Sequence, residues 1–415
     1  MSFTDEKSLD DAYVMHTFNR FPVEFVEGHG MTLVDADGKE YLDFLSGIGV
    51  CSLGHCHPVL VNAINEQVSR LVHVSNYFYI EHRGEVARRL CELAAADAAP
   101  SPYGDGTAWR AFFSNSGAEA NEGALKLARL WSKRRAIAAG GSGDDYAYNV
   151  VSLRKSFHGR TLGTIAATMQ DRLQNPFYPL PDGYLPADPD DVAGLEELFS
   201  QQGDSICAVL MEPIQGESGV HPLSVEFLQA ARRLCDEHDA LLIFDEVQCG
   251  LYRTGYPFAF QGLGVTPDIV TLAKGIAGGV PMGAFLAREE LAATFNPGEH
   301  GSTFGGSNLA CAAAEAVLGE LDRMDAATHC AEVGAYFMQS LMALPHVSEV
   351  RGMGLMVGCD LDDDAPTAPE VVRAALDKGL VVNACGAKTL RFLPPLICER
   401  ADVDAACAIL AEVLA

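Results

Sequence analysis

The stretch LLIFDEVQCG, Leu241 to Gly250, runs through four apolar residues and stops on two acids, Asp245 and Glu246. A short apolar run without alternation reads as a strand buried on both faces, and such strands belong to a mostly parallel sheet covered by helices. In open sheets of that kind ligands gather beyond the carboxyl ends of the strands, where Asp245 stands. An acidic pair at such a point serves equally well as a solvated loop, so its neighbours in the chain must decide.

Those neighbours repeat the pattern. Upstream, SVEFLQAARRLCDEHD (Ser224–Asp239) places Val225, Leu228, Ala231 and Cys235 on one helical face, with Ser224 able to cap the start. Before it, SICAVLMEP (Ser205–Pro213) is another apolar strand, and strand, helix, strand makes a parallel crossover unit. NVVSLRKSFHG (Asn149–Gly159) and DIVTLAKG (Asp268–Gly275) supply further strands, and WRAFFSNSGAEANEGALKLARLWSKRR (Trp109–Arg135) is an apolar edge, a turn of small residues and a long helix. The central part of the chain is therefore α/β.

Toward the N-terminus, GMTLVDADGKEYLDFLSG (Gly30–Gly47) reads as two short strands joined by an Asp-Gly turn. Two helices follow, one with Val59, Val61, Ile64, Val68 and Leu71 as its apolar positions and one over HRGEVARRLCELAAADA (His82–Ala98). Ala138–Ala147 and Asp171–Asp191 read as loops, the second either lying over a site or an interface, or wrapping the surface. After residue 306 come two helices, short strands in VRGMGLMVGCDL and LRFLPPLI, and a closing helix in DVDAACAILAEVL. These form a smaller α/β unit against which the N-terminal hairpin is expected to pack.

Composition narrows the class. Apolar residues make up 48% of the 415, the profile of a globular, enzyme-sized chain. The formal charge of -27, with only eight lysines, argues against nucleic acid or anionic membranes as partners of the surface. Neither a membrane span nor a secretory leader is legible, so the expectation is a cytoplasmic protein. Twelve scattered cysteines suit buried thiols in a reducing compartment, and GHCHP (Gly54–Pro58) lacks the further ligands a metal centre needs, so no metal is expected.

Three features carry chemistry. Asp245 ends one strand, and Lys274 ends another, followed by glycines that permit a tight turn. Each alone is as consistent with a salt bridge as with a site; an acid and an amine at the ends of adjacent strands point to a shared pocket. The third is SNSGAEANEG (Ser114–Gly123), where small residues precede a helix whose first N–H groups, at Gly117 and Ala118, offer a seat for phosphate. No GxxxxGK is present, so this is not a nucleotide loop. A phosphate seat, a reactive lysine and a buried aspartate together describe pyridoxal 5'-phosphate, with Lys274 bonded to its aldehyde and Asp245 keeping the pyridine nitrogen protonated. Phe157 is placed to stack on the ring. Arg160 and Arg391 suit carboxylate recognition, and Glu217 can pair with one of them when no diacid is bound.

SNSGAEANE, FHGR, EPIQGESG, FDEVQCGLYRTG, AKGIAGGVPMGA and GSTFGG occur in this order, and with YLDFLSGIGVCSLGHCHPVLVNAI and SEVRGMGLMVG they resemble the class III (ornithine-type) aminotransferases. The resemblance spans about residues 13 to 413 and is nearest to members acting on N2-acetylornithine. It implies a fold type I architecture: a large cofactor-binding domain over 66–305, a small domain over 306–415, and an N-terminal segment, 1–65, packing with the latter. It implies Lys274 as covalent anchor and general acid/base, and cofactor contacts from Gly117, Ala118, Phe157, Asp245, Glu246, Val247 and Gln248. Of these, Glu246 is the one whose own sequence context reads equally as a support for neighbouring loops. Thr303 would reach the phosphate from the other subunit of a homodimer, Arg160, Glu217 and Ser302 would line the substrate, and Arg391 would take the α-carboxylate of both substrates. The implied reaction moves the terminal amino group of N2-acetyl-L-ornithine to 2-oxoglutarate. The alternatives are ornithine, succinylornithine, N-succinyldiaminopimelate or 4-aminobutyrate as donor, a mutase or racemase on the same scaffold, or a binding protein without chemistry. One departure stands beside Thr303: GGSNLA, with Ser307 and Asn308, where the family commonly reads Gly-Gly-Asn-Pro.

Overall fold

The computed structural model describes residues 2–415. Near the N-terminus β1 (Phe25–His29), β2 (Thr32–Asp35) and β3 (Glu40–Asp43) form an antiparallel sheet. The β2–β3 turn is the expected Asp-Gly turn, tied by Asp35 Oδ1, which accepts the N–H groups of Asp37 and Lys39 at 2.9 Å each. The helix Pro58–Arg70 follows, but not with the face the spacing suggests. Leu60 and Gln67 are buried, while Val59, Val68 and Leu71 lie exposed.

The core of the molecule is a seven-stranded sheet in the order β4-β12-β11-β10-β7-β5-β6. In chain order its members are β4 (Trp109–Ser114), β5 (Asn149–Leu153), β6 (Tyr184–Ala187) and β7 (Ile206–Met211). After the small ribbon β8 (Ile214–Gln215) and β9 (His221–Pro222) come β10 (Leu241–Asp245), β11 (Ile269–Leu272) and β12 (Gly283–Arg288). Every residue of β7, β10, β11 and β12 is buried, as expected of strands covered on both faces. The helix Gly117–Ala138 packs on this sheet, and so does Val225–Glu237, whose N-terminus is capped by Ser224 Oγ accepting from Phe227 N–H at 3.2 Å. The latter helix buries Phe227, Leu228, Ala230, Ala231, Leu234 and Cys235, leaving Val225 outside. Each large side chain so buried contributes roughly 1.5–3 kcal/mol.

Two strands of this seven-stranded sheet lay outside the sequence expectation. β12 runs antiparallel between β11 and β4, because the short connection from Ala273 to Met282 holds no crossover helix and can only return the chain in the opposite direction. β6 falls inside Asp171–Asp191, the segment read as loop; its sequence YLPA contains Pro186, tolerated because the strand is at the sheet edge and pairs only with β5.

The C-terminal part builds a second antiparallel sheet, β13 (Val347–Met353), β14 (Met356–Leu361), β16 (Asn383–Cys385) and β17 (Thr389–Phe392), in the order β13-β14-β17-β16. The strand between them, β15 (Leu380–Val381), leaves that sheet and pairs parallel with β3, so the two ends of the chain share one sheet. The helices Ala326–Met342, Ala368–Asp377 and Arg400–Leu414 accompany these strands. All twelve cysteines are free. Among the described residues no helix is long and apolar enough to cross a membrane.

Candidate active site

β10 and β11 are parallel neighbours with Asp245 paired opposite Thr271, so the acid that ends one strand and the lysine that follows the other emerge side by side. Both line a cavity of about 410 Å³. Asp245 is held from three directions: Oδ2 accepts from Asn121 Nδ2 at 2.7 Å and lies 2.8 Å from His158 Nδ1, and Oδ1 accepts the Val247 N–H at 3.0 Å. Asn121 is fixed in turn, its Oδ1 accepting from Thr271 Oγ1 at 2.7 Å and its Nδ2 donating also to the His158 carbonyl at 2.8 Å. The carboxylate is thus oriented before anything enters the cavity, which is what electrostatic preorganisation requires.

Lys274 holds a left-handed backbone conformation, φ 45°, strain of about 1–3 kcal/mol that persists where the surroundings fix it. Burial pushes its ammonium below the usual lysine range, a shift the Glu217 carboxylate opposes and the Arg391 guanidinium reinforces. A neutral amine at working pH can act as nucleophile and as proton acceptor.

At the head of the helix Gly117–Ala138, Ser116 Oγ accepts the Glu119 N–H at 3.2 Å. The N–H groups of Gly117 and Ala118 belong to the first turn, have no carbonyl within the helix to donate to, and border the same cavity. A side chain at 117 would press on Val247, with a Cβ only 2.9 Å from Cγ1, so glycine lets the helix start approach the strand end. Free N–H groups, the positive end of a long helix, a buried lysine and an oriented carboxylate in one cavity match the donor set of pyridoxal 5'-phosphate.

Arg391, on β17, is 1% exposed and enters from the other domain sheet. Its Nη1 donates to Glu217 Oε1 at 2.7 Å, to the Gly216 carbonyl at 3.2 Å and to Gln248 Oε1 at 3.3 Å; its Nη2 donates to Asn383 Oδ1 at 3.0 Å. Gln248 Nε2 also reaches Glu217 Oε1, at 3.2 Å. The Glu217–Arg391 pairing anticipated from the motif is therefore present, and the arginine concerned is 391. Arg160 is exposed at the cavity edge, its guanidinium 5.5 Å from the centroid of the Phe157 ring, without a salt bridge among the described residues.

Four of the expected residues do not border the cavity: Arg391, which lies behind Glu217 and Gln248, and Glu246, Ser302 and Thr303. Glu246 turns from the cavity: its two oxygens accept the N–H groups of Ala259 and Phe260 at 2.7 and 2.9 Å, capping the helix Ala259–Leu263, and burial pushes its carboxyl up to about 8. It supports a loop and does not touch the space where a cofactor fits. Ser302 and Thr303 border a separate, larger hollow of about 1200 Å³ with Asn76 and Tyr77. Ser302 Oγ accepts from Asn115 Nδ2 at 3.2 Å, and Asn115 borders both spaces. The Ser307-Asn308 departure leaves the helix start intact, Ser307 Oγ accepting the Ala310 N–H at 3.3 Å, while the buried Asn308 Oδ1 has no partner among the described residues.

Sequence reasoning missed Asn121, His158 and Glu212, all of which border the cavity. Asn121 lies four residues after Gly117, hence on the same helix face, and that spacing could have found it. His158 and Glu212 sit inside quoted motifs but offer no local sign of what they touch.

A family model for class-III aminotransferases matches residues 13–414. The acetylornithine aminotransferase of Methanocaldococcus jannaschii is 43% identical over 96% of this chain and 94% of its own length. That of Caldanaerobacter subterraneus subsp. tengcongensis is 44% identical over 98% of both. Among solved structures, the ornithine aminotransferase from Toxoplasma gondii, with partial occupancy of PLP at its active site, superposes with a TM-score of 0.89 at 32% identity, covering 100% of this chain and 94% of that one.

Proposed function

The chain belongs to the class-III aminotransferase family, and from that premise we propose that it is a pyridoxal-phosphate enzyme transferring the terminal amino group of N2-acetyl-L-ornithine to 2-oxoglutarate. The products are N-acetyl-L-glutamate 5-semialdehyde and L-glutamate. The observation that carries this reading is the convergence of Lys274 and Asp245, from adjacent parallel strands, beneath the start of the helix Gly117–Ala138.

The bound cofactor supplies an aldehyde that accepts the amino group and a protonated ring that draws electrons from the carbon losing its proton. The chain does the rest. The N–H groups of Gly117 and Ala118 would hold the phosphate, Asp245 the proton on the ring nitrogen, Gln248 the ring hydroxyl, and Phe157 and Val247 the ring faces. Lys274 Nζ, whose proton affinity burial lowers, would take the proton from the donor's terminal carbon and return it on the far side of the transferred nitrogen.

Arg391 explains how one pocket serves two substrates. Its guanidinium is bound to Glu217 and Gln248, both of which border the cavity that holds Lys274. The reacting carbon of N2-acetylornithine carries no carboxylate, and there Glu217 covers the guanidinium. The reacting carbon of 2-oxoglutarate adjoins a carboxylate, which displaces Glu217 and takes Arg391 in bidentate fashion. The far carboxylate of each substrate falls to Arg160. This revises the expectation that Arg391 binds both substrates.

The unit is a homodimer in this reading. Val68, Leu71, Tyr77, Phe78, Tyr79 and Phe304 are exposed apolar side chains, and Thr303 borders the hollow that Tyr77 also lines. A second copy covering this surface brings its Thr303 to the phosphate seat. The test of the chemistry is borohydride treatment of the purified holoenzyme followed by peptide mass spectrometry. Cofactor mass fixed on Lys274 is expected; cofactor fixed elsewhere, or none with the protein folded, would refute the proposal.

A further inference from the structure

We propose that Glu212 is a positioning residue that straps the loop bearing Phe157 to the loop bearing Glu217, setting the ring-facing aromatic and the cover of Arg391 together. Glu212 directly follows β7, borders the cavity and is 5% exposed. Its Oε2 accepts the Phe157 N–H at 3.0 Å and its Oε1 the Gly216 N–H at 3.2 Å. No lysine or arginine pairs with it among the described residues, so two backbone N–H groups are what holds this buried carboxylate. The strap continues outward: the Gly216 carbonyl accepts from Arg391 Nη1, and the next residue, Glu217, makes the ion pair with the same atom. Gly216 is hemmed in on its other side, where a Cβ would collide with Gln248 Oε1. The loop is therefore held between Glu212 on one side and Arg391 on the other, with Gln248 packed against it.

A strap made of an acid is also a switch. As a carboxylate Glu212 accepts both N–H groups; once protonated, one oxygen becomes a donor and releases one of them. The charged groups around it are His158 on the Phe157 loop, Asp245 on β10, Lys274 beyond β11, and Glu217 with Arg391 of β17. Burial pushes Glu212 up to about 7, Asp245 adds to the rise, and His158 and the two N–H bonds resist it. Below that pH one of the two loops, that of Phe157 or that of Glu217, is held more weakly.

The inference rests on the cavity being the cofactor site and on Arg391 receiving 2-oxoglutarate. Its test compares wild-type holoenzyme with Glu212→Gln in single turnovers of the amino-loaded enzyme with 2-oxoglutarate across pH. The amide oxygen of Gln can keep one N–H, while its NH2 opposes the other. We expect wild type to lose kcat/KM on the acid side with a midpoint near 7, and the variant to lose that limb and show a KM for 2-oxoglutarate raised about tenfold, the effect of about 1.4 kcal/mol. An unchanged acid limb and unchanged KM in the variant overturn the proposal. Should Glu212→Gln not fold, Glu212→Asp carries the same test: its shorter acid must displace the limb, and a limb that stays in place overturns the proposal. If the cofactor band is absent from both proteins, the cofactor reading itself has failed instead.

Discussion

Glu217 Oε1 lies 2.7 Å from Arg391 Nη1, a paired charge at the edge of the space where substrate reacts. Removing the acid leaves a buried guanidinium facing an uncharged portion of the donor. Glu217→Ala is expected to slow the half-reaction with N2-acetylornithine by about tenfold or more, an effect of at least ~1.4 kcal/mol. The half-reaction with 2-oxoglutarate, which displaces Glu217 anyway, should be unaffected or faster. Single-turnover absorbance with each substrate separates the two; equal losses would argue against a switch.

Asp245 shares its Oδ2 between Asn121 and His158. Asp245→Asn removes the charge that holds the ring nitrogen's proton, and kcat should drop by roughly 10²–10⁴-fold, the range of a lost acid–base contribution. His158→Phe keeps that charge but loosens its orientation, so a smaller loss, roughly tenfold, is expected. Steady-state kinetics on both variants checks the ranking, and a His158 effect equal to that of Asp245 would contradict it.

Glu246 and His55 both bind their protons more tightly in the folded protein, Glu246 up to about 8 through burial and His55 up to about 9 through its bond to Asp43. The stability each adds is complete below its unfolded pKa and is lost as pH rises through the folded one. Thermal melts should therefore show Tm falling from about pH 6 toward pH 9 and beyond. Glu246→Gln, which has no proton to lose over this range, should flatten that slope.

Tyr77 and Tyr79 are almost wholly exposed beside Phe78 and Phe304. A charge placed there, as in Tyr79→Glu, is expected to weaken association of two chains by at least about 2 kcal/mol, the scale of an interface hot spot. Sedimentation velocity should show a shift toward monomer, with turnover falling in parallel because Thr303 no longer reaches the partner's phosphate seat. A fully active monomer would contradict the shared site.

The strand ends were legible because their signal is local: an apolar run that stops on Asp245, another that stops before Lys274, and a run of small residues ahead of a helix. The helix face over Pro58–Arg70 was not, because apolar spacing alone cannot tell a face turned to the core from one left exposed, as Val59 and Val68 are. β12 was missed because its direction follows from the length of the Ala273–Met282 connection and not from its own residues. Glu246 and Glu212 invert the naive reading. The acid adjoining Asp245 caps a helix, while the acid that opens EPIQGESG, 33 residues upstream of Asp245 in the chain, comes to border the same cavity because β7 and β10 are neighbours.

The central claim is the identity of the amino donor. It is tested most directly by kcat/KM of the wild-type holoenzyme for N2-acetyl-L-ornithine and for L-ornithine, each with saturating 2-oxoglutarate. A clear preference for the acetylated donor, tenfold or more, equivalent to about 1.4 kcal/mol in the transition state, is expected; a preference of that size for ornithine would contradict it.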